Sequence, residues 1–163
     1  MAFDEADLRL ANRGGARISA AQIAAILERR SDIEGALREI DVRASLARPV
    51  GSIPWAPLTH LFDAFADLPG IGFSKMTKAL HRKRPGLIPI LDSVIQLYLA
   101  AEDPGRVETF GNRATALVRS YKRDLDRNRA ALKEIQRELA SREHRLTEVR
   151  ILDILIWSVS AGG

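Results

Sequence analysis

Two short stretches of this chain carry residue types that could do chemistry. The first, Leu68-Pro69-Gly70-Ile71-Gly72, lies between two amphipathic runs. Glycines on either side of one apolar residue allow a very tight turn whose backbone amides point outward, because neither position carries a β-carbon. Ile71 can then plug into the core, while the amides around Gly72 and the N-terminus of a helix starting at Phe73 face an anion such as a phosphate oxygen. Behind the turn, at about 100° per residue, Met76, Ala79 and Leu80 fall on one face and Lys75, Lys78 and Arg82 on the opposite one. Lys83 and Arg84 extend this positive ridge, and with His81 the stretch from Lys75 to Arg84 holds six ionisable basic groups. Such a ridge can neutralise several phosphates and is expected to bind more weakly as salt rises. Contacts of this kind read backbone and not base edges, so Pro69, Gly70, Ile71, Gly72, Ser74, Lys75, Lys78 and Arg82 form an expected sequence-independent DNA site. The second stretch, Leu91-Asp92-Ser93-Val94-Ile95, offers a carboxylate that can serve as a helix cap or in acid–base work.

Composition narrows the alternatives. At 163 residues with 46% hydrophobic content the chain fits one domain, residues 1–163, with a substantial core. The absence of cysteine excludes disulfides and thiolate-bound zinc or iron–sulfur centres. His60, His81 and His144 are scattered without a two-ligand helical pair, so neither a metal site nor a cofactor is expected. The formal charge is +4 and the sequence pI about 9.8, which suits a polyanion partner. Met1 to Gly15 mixes acids with arginines and has no apolar signal core, and no run approaches a membrane span. A soluble cytoplasmic protein, nucleoid-associated if it binds DNA, is the expectation.

The elements that must position these residues are all helical. Gly14-Gly15 breaks the first segment, and Ser19 can cap a helix through about Arg30. Ser31 or Asp32 can cap another through about Ile40. Pro49, Gly51, Pro54 and Pro57 make the stretch from Ala44 to Pro57 irregular, with Trp55 inside it. Leu58, Leu61, Phe62 and Phe65 recur at helical spacing up to Pro69-Gly70, and a second helix runs from Phe73 to about Lys83. Asp92 can cap a helix through about Ala101, burying Val94, Ile95, Leu97 and Tyr98 to varying degrees, and Asp103-Pro104-Gly105 ends it. From Arg106 to about Ser141 a long charged helix or helix pair carries a stripe from Val107 to Leu139, with a joint at Asn128. A last helix from about Thr147 is apolar nearly all round, which predicts a central core helix. The predicted class is all-α, a multi-helix domain of about seven helices.

Together, the Leu68 to Gly72 and Leu91 to Ile95 strings resemble the helix-hairpin-helix DNA glycosylases, the superfamily of endonuclease III-like and adenine glycosylase-like enzymes. In that family the hairpin reads leucine-proline-glycine-hydrophobic-glycine, and a catalytic aspartate follows about twenty residues later in a hydrophobic-Asp-Thr/Ser-x-Val/Ile setting. Gly72 and Asp92 stand twenty apart here, and the similarity covers about Leu58 to Tyr98. It implies a helix-hairpin-helix unit at about 57–84 and Asp92 as the carboxylate that stabilises an oxocarbenium-like sugar while orienting a water. The target nucleotide would leave the stack, held by phosphate contacts. Some members use a hairpin-helix lysine as an amine nucleophile; that position is Ser74 here, with Lys75 one place later, which implies base excision without strand cleavage. The chain departs from the family pattern in three ways. Only residues 1–67 precede the hairpin, Val94 stands where a polar residue is usual, and no iron–sulfur loop is possible. Residues 68–92 and 150–157 are also similar to an actinobacterial family of undefined function.

Other readings stay open. Asp92 can be a cap alone, in which case the chain is a non-catalytic DNA-binding module. The Val107 to Leu139 stripe could instead serve a helical interaction protein. Among aromatics able to stack on an extruded base, Trp55 is the leading candidate, ahead of His60, Tyr98 and Trp157.

Overall fold

In the computed structural model, which describes residues 1–99 and 109–162, helices begin mostly where a side-chain oxygen can satisfy their first amides. Asp4 caps α1 (Glu5–Arg13) in a capping box with Asp7, and Ser19 caps α2 (Ala20–Glu28) in another with Gln22. α3 (Arg30–Arg38) starts from Arg29, which also ends α2, so neither Ser31 nor Asp32 acts as its cap. Arg29 instead reaches across to the carbonyls of Ala64 and Ala66. A short 3₁₀ turn, Val50–Ser52, leads into α4 (Trp55–Asp63), and α5 (Phe73–Leu80) continues into a second 3₁₀ turn, His81–Lys83. α6 (Ser93–Leu99) follows Asp92, and Thr109 caps α7 (Phe110–Arg127). Asn128 separates α7 from α8 (Arg129–Ser141), and Thr147 caps α9 (Glu148–Ala161). The fold is all-α, with no strand among the described residues. The predicted helix continuation to Ala101, the turn at Asp103-Pro104-Gly105 and the start of the stripe at Arg106 and Val107 lie outside the described residues.

One connected cluster of buried side chains joins the elements, from Phe3 and Leu8 near the N-terminus to Ile156 in α9. Phe3 meets Phe65 edge-on at 6.3 Å, which draws the start of the chain over the segment that follows α4. The broadest helix contact is α4 on α7, and a glycine makes it possible. A β-carbon on Gly111 would run into the Asp63 carboxylate and the Thr59 carbonyl, while its N–H donates to Asp63 at 2.7 Å. Thr59 and Thr115 share a hydrogen bond of 2.7 Å across the same contact. α3 also lies on α4, α1 on α5, and α9 against α6, α7 and α8.

Several expectations change on contact with the fold. α1 was not foreseen, because its acids and arginines hide the two core residues Leu8 and Ala11. α4 begins at Trp55, not Pro57, and stops at Asp63 well before Pro69. α9 is not a central helix: Ile154, Leu155, Trp157 and Val159 are exposed, as are Leu97 and Tyr98 on neighbouring α6. Apolar composition on every face says that a helix can be buried, but not how many neighbours will cover it.

The strongest departure concerns Arg84, predicted on the positive ridge and found 1% exposed. Its guanidinium donates to the carbonyls of Leu37 at 2.6 Å and of Ile40 at 2.7 and 3.1 Å, and to its neighbour Lys83 at 2.7 Å. Leu37 and Ile40 sit at the C-terminal end of α3, where unpaired carbonyls concentrate negative potential, so a helix end takes the place of a carboxylate partner. Burial pulls the guanidinium below its ordinary pKa, but arginine remains charged. Arg84→Met should therefore lower unfolding free energy by about 3 kcal/mol, because it leaves several buried carbonyls without donors. Urea denaturation of the two proteins measures this, and Arg84→Lys should recover little, lacking the planar fork.

Candidate functional site

The glycine turn forms as its sequence suggests, with one difference of mechanism. Leu68 O accepts from Ile71 N at 3.1 Å, and Ile71 is buried as the plug. Gly70 takes a φ of +74°, a left-handed conformation that side chains resist. Gly72 does not: its φ is −101°, and a β-carbon there would meet nothing within 4 Å. Thus only Gly70 is demanded by the backbone, and Gly72 leaves open space beside the first turn of α5, which no side chain caps. Gly70→Ala should cost about 1 kcal/mol or more and Gly72→Ala less than that, measured by thermal denaturation.

Around the turn, Pro69 and Gly70 are exposed and Ser74 is half-buried. Lys75 donates to Gln22 at 2.9 Å, and Gln22 in turn sits 3.5 Å from the Pro69 carbonyl, which ties the turn to α2. Lys78 reaches the Gly15 carbonyl at 3.5 Å, and Arg82 is exposed. The rest of the predicted ridge is consumed by the fold. Lys83 pairs with Asp7 at 2.8 Å, and Arg84 is buried as described. His81 donates from Nδ1 to the Ile88 carbonyl at 2.6 Å, and burial holds its pKa below the ordinary value, helped by the charges of Arg150 and Arg82. Lys75, Lys78 and Arg82 are what remains of the ridge. Arg113, from α7, adds a cation that sequence reading passed over, 5.3 Å above the Phe73 ring at the start of α5.

Asp92 is held from both sides of its backbone. Thr77, buried in α5, donates its hydroxyl to the Phe73 carbonyl at 2.7 Å and accepts from Leu91 N at 2.9 Å, while Gln96 donates to the Leu91 carbonyl at 2.7 Å. One carboxylate oxygen, Oδ1, accepts from Ile95 N at 3.0 Å and caps α6; the other, Oδ2, accepts from the Trp157 indole N–H at 3.0 Å. Asp92 lines a pocket of about 350 Å³ with Gly14, Lys78, Arg150, Asp153 and Trp157. Lys78 therefore belongs both to the basic face of α5 and to the wall of the Asp92 pocket.

Asp153 was missed by the sequence reading. The signal was present, a single carboxylate inside the apolar string Ile151-Leu152-Asp153-Ile154-Leu155. The side chain is 2% exposed, its Oδ1 lies 2.8 Å from the Tyr121 hydroxyl, and its Oδ2 has no hydrogen-bond partner. Burial raises its pKa from 3.8 to about 7; the Tyr121 hydrogen bond, the Arg150 charge and the Ile90 amide oppose that rise, and the Asp92 charge adds to it. Because the folded value lies above the unfolded one, the contribution to stability is complete below about pH 4 and is lost as pH rises toward 7. Asp153→Asn should accordingly gain stability over the parent at pH 8 relative to pH 4, by at most about 4 kcal/mol at 1.36 kcal/mol per pH unit. Denaturant titrations at the two pH values check the sign.

Trp55, the expected stacking residue, belongs to a different groove. Its indole donates to the Val50 carbonyl at 3.1 Å, and the Arg119 guanidinium covers its ring at 4.2 Å, beside Thr59 and Thr115. Trp157 is the aromatic in the Asp92 pocket, and it is half exposed. Among the described residues no group of three or more acidic or histidine side chains could hold a metal ion, and no helix is long and apolar enough to cross a membrane.

Fold and site thus define an all-helical protein with a two-carboxylate pocket opening beside a basic helix face. The chain belongs to DUF6308, a family of unknown function, which it matches over residues 4–160. No curated protein and no solved structure gives a significant match.

Proposed function

We propose that this protein binds DNA through the turn at Leu68 to Gly72, Lys75 and Lys78 of α5, and Arg82 of the 3₁₀ turn that follows, and that it acts as a monofunctional DNA glycosylase with Asp92 as the catalytic carboxylate. The observation that carries this reading is the sharing of Lys78: a cation of the expected phosphate-binding face lines the pocket that contains Asp92. A phosphate held at the turn and along α5 would bring the adjoining nucleotide to that pocket. Asp92 has its orientation set by Ile95 N–H and the Trp157 indole, so it would meet positive charge on the sugar without reorganising. Ser74 offers no amine, and the Lys78 amine is turned toward the Gly15 carbonyl. Borohydride should therefore trap no covalent protein–DNA adduct.

The hydrogen bond from Ile95 N to Asp92 Oδ1 favours a second reading, a non-catalytic DNA-binding module in which Asp92 only caps α6. Asp92→Asn separates the two because asparagine caps a helix as well as aspartate does, so the α6 cap is retained and only the half-exposed Trp157 indole loses its acceptor. On labelled duplexes carrying uracil, hypoxanthine, alkylated, oxidised or hypermodified bases, the glycosylase reading expects abasic sites from the parent and a loss of about 10²-fold or more in the variant. Equal binding of DNA by both proteins with no release by either would leave the module reading. Replacing Lys75, Lys78 and Arg82 by glutamine should weaken DNA binding and flatten its salt dependence in either case.

A further inference from the structure

We propose that Asp153 is the proton donor of the Asp92 pocket, a carboxyl that passes its proton through Oδ2 to a nitrogen of the departing base. The inference rests on the glycosylase reading and adds to it a second functional residue, contributed by α9.

Three observations carry it. The first is position: Asp153 lines the same pocket as Asp92, with Asp153 almost fully enclosed and Asp92 half-buried toward the opening. The second is Oδ2, which makes no hydrogen bond of normal geometry even though the Ile90 amide acts on the carboxylate; a buried carboxylate oxygen so poorly matched is costly unless something else meets it. The third is a shortage of protons at Tyr121. Its hydroxyl oxygen lies 2.7 Å from the Val149 carbonyl and 2.8 Å from Asp153 Oδ1, yet a phenol has one hydrogen. That hydrogen can serve the Val149 carbonyl or Oδ1 but not both. While it serves Val149, Oδ1 goes without it; in either position Oδ1 is an acceptor, and the proton of a neutral Asp153 rests on Oδ2.

Asp92 has different surroundings, with an amide and an indole N–H both aimed at its oxygens. Two carboxyl groups in one pocket thus meet unlike environments, the division of labour that acid–base catalysis needs. The charged and titratable groups facing Asp153 are Tyr121 from α7, Arg150 on α9, and Asp92 ahead of α6, and Lys78 from α5 lines the same pocket. Burial outweighs the favourable charge of Arg150, which is why the acid form persists to about pH 7.

In the step itself the C1′–N bond breaks and its electron pair passes to the base, which takes the carboxyl proton of Asp153 and leaves neutral. Tyr121 can follow by turning its hydrogen from the Val149 carbonyl to Oδ1, where it stabilises the new carboxylate. A water oxygen adds to C1′ beside Asp92, and the proton that the water sheds restores Asp153. One water is consumed, and a free base and an abasic sugar are formed.

The test is single-turnover base release across about pH 5.5 to about pH 9, comparing a duplex with a neutral purine-type lesion, hypoxanthine, and one with cationic 7-methylguanine, which can leave without taking a proton. With hypoxanthine the parent rate should fall about tenfold per pH unit above pH 7, and Asp153→Asn should lose about 10²-fold and show no such limb. With 7-methylguanine the variant should stay within about threefold of the parent. Tyr121→Phe should move the alkaline limb upward, since loss of its hydrogen bond disfavours the carboxylate. Parallel hypoxanthine profiles for parent and Asp153→Asn would overturn the proposal while leaving Asp92 catalysis intact. So would equal losses on both lesions, which point to a structural role. No release of either base, or of any other, by the parent would overturn the glycosylase reading and this role with it.

Discussion

A buried positive charge hydrogen-bonded to carbonyls and to no carboxylate governs the layout of this protein. Arg84 must find several oxygens inside the core, and the carbonyls at the end of α3 are the ones that meet it. That requirement sets where the chain leaves α5, because the 3₁₀ turn His81–Lys83 ends at this residue. Its own carbonyl then receives Leu87 N and Ile88 N, and Gly86 O receives Leu46 N, so the following loop is bonded on both sides. His81 grips the same loop at Ile88, and Thr77 grips it again at Leu91. By the time the chain reaches Asp92, each recent turn of backbone has been fixed by a polar side chain from α5 or its continuation.

The pocket shows the same economy of polar groups used for a different end. Along the loop, Thr77, His81 and Arg84 each bond a backbone group. Where the pocket opens, matching is incomplete: Asp153 keeps one oxygen without a donor, and Tyr121 has more acceptors than hydrogens. Unmatched polar groups in a low-dielectric interior raise the energetic stakes of any proton or ligand that arrives there. Beside Trp55, by contrast, Arg119 already covers the ring.

The basic face illustrates how a fold selects from a charge cluster. The run from Lys75 to Arg84 looks uniform by composition, but one arginine is absorbed by a helix end, one lysine by Asp7 and the histidine by a loop carbonyl. The cations left over are Lys75 and Lys78 on α5 and Arg82 in the turn after it, and Lys78 reaches the pocket. A nucleic acid reading based on the count of positive residues is thereby replaced by one based on where Lys75, Lys78 and Arg82 remain.

Much of this was written in local sequence. Ser19, Asp92 and Thr147 were legible as helix starts, Asn128 as a joint and Gly70 as a turn, because caps and left-handed glycines act within a few residues of themselves. The all-helical class followed from periodicity for the same reason. The partners of Arg84, the exposure of one side of α9, the separation of Trp55 from Asp92 and the meeting of Asp92 with Trp157 and Asp153 were not legible. Those pairs stand far apart in the chain, and burial, which decides whether an arginine joins a ridge or a core and whether an aspartate is an anion or an acid, is a property of the packed interior. Sequence by itself determined the helical class, several helix starts and the Gly70 turn; tertiary structure decided which charges were buried, because desolvation depends on neighbours that no local pattern names.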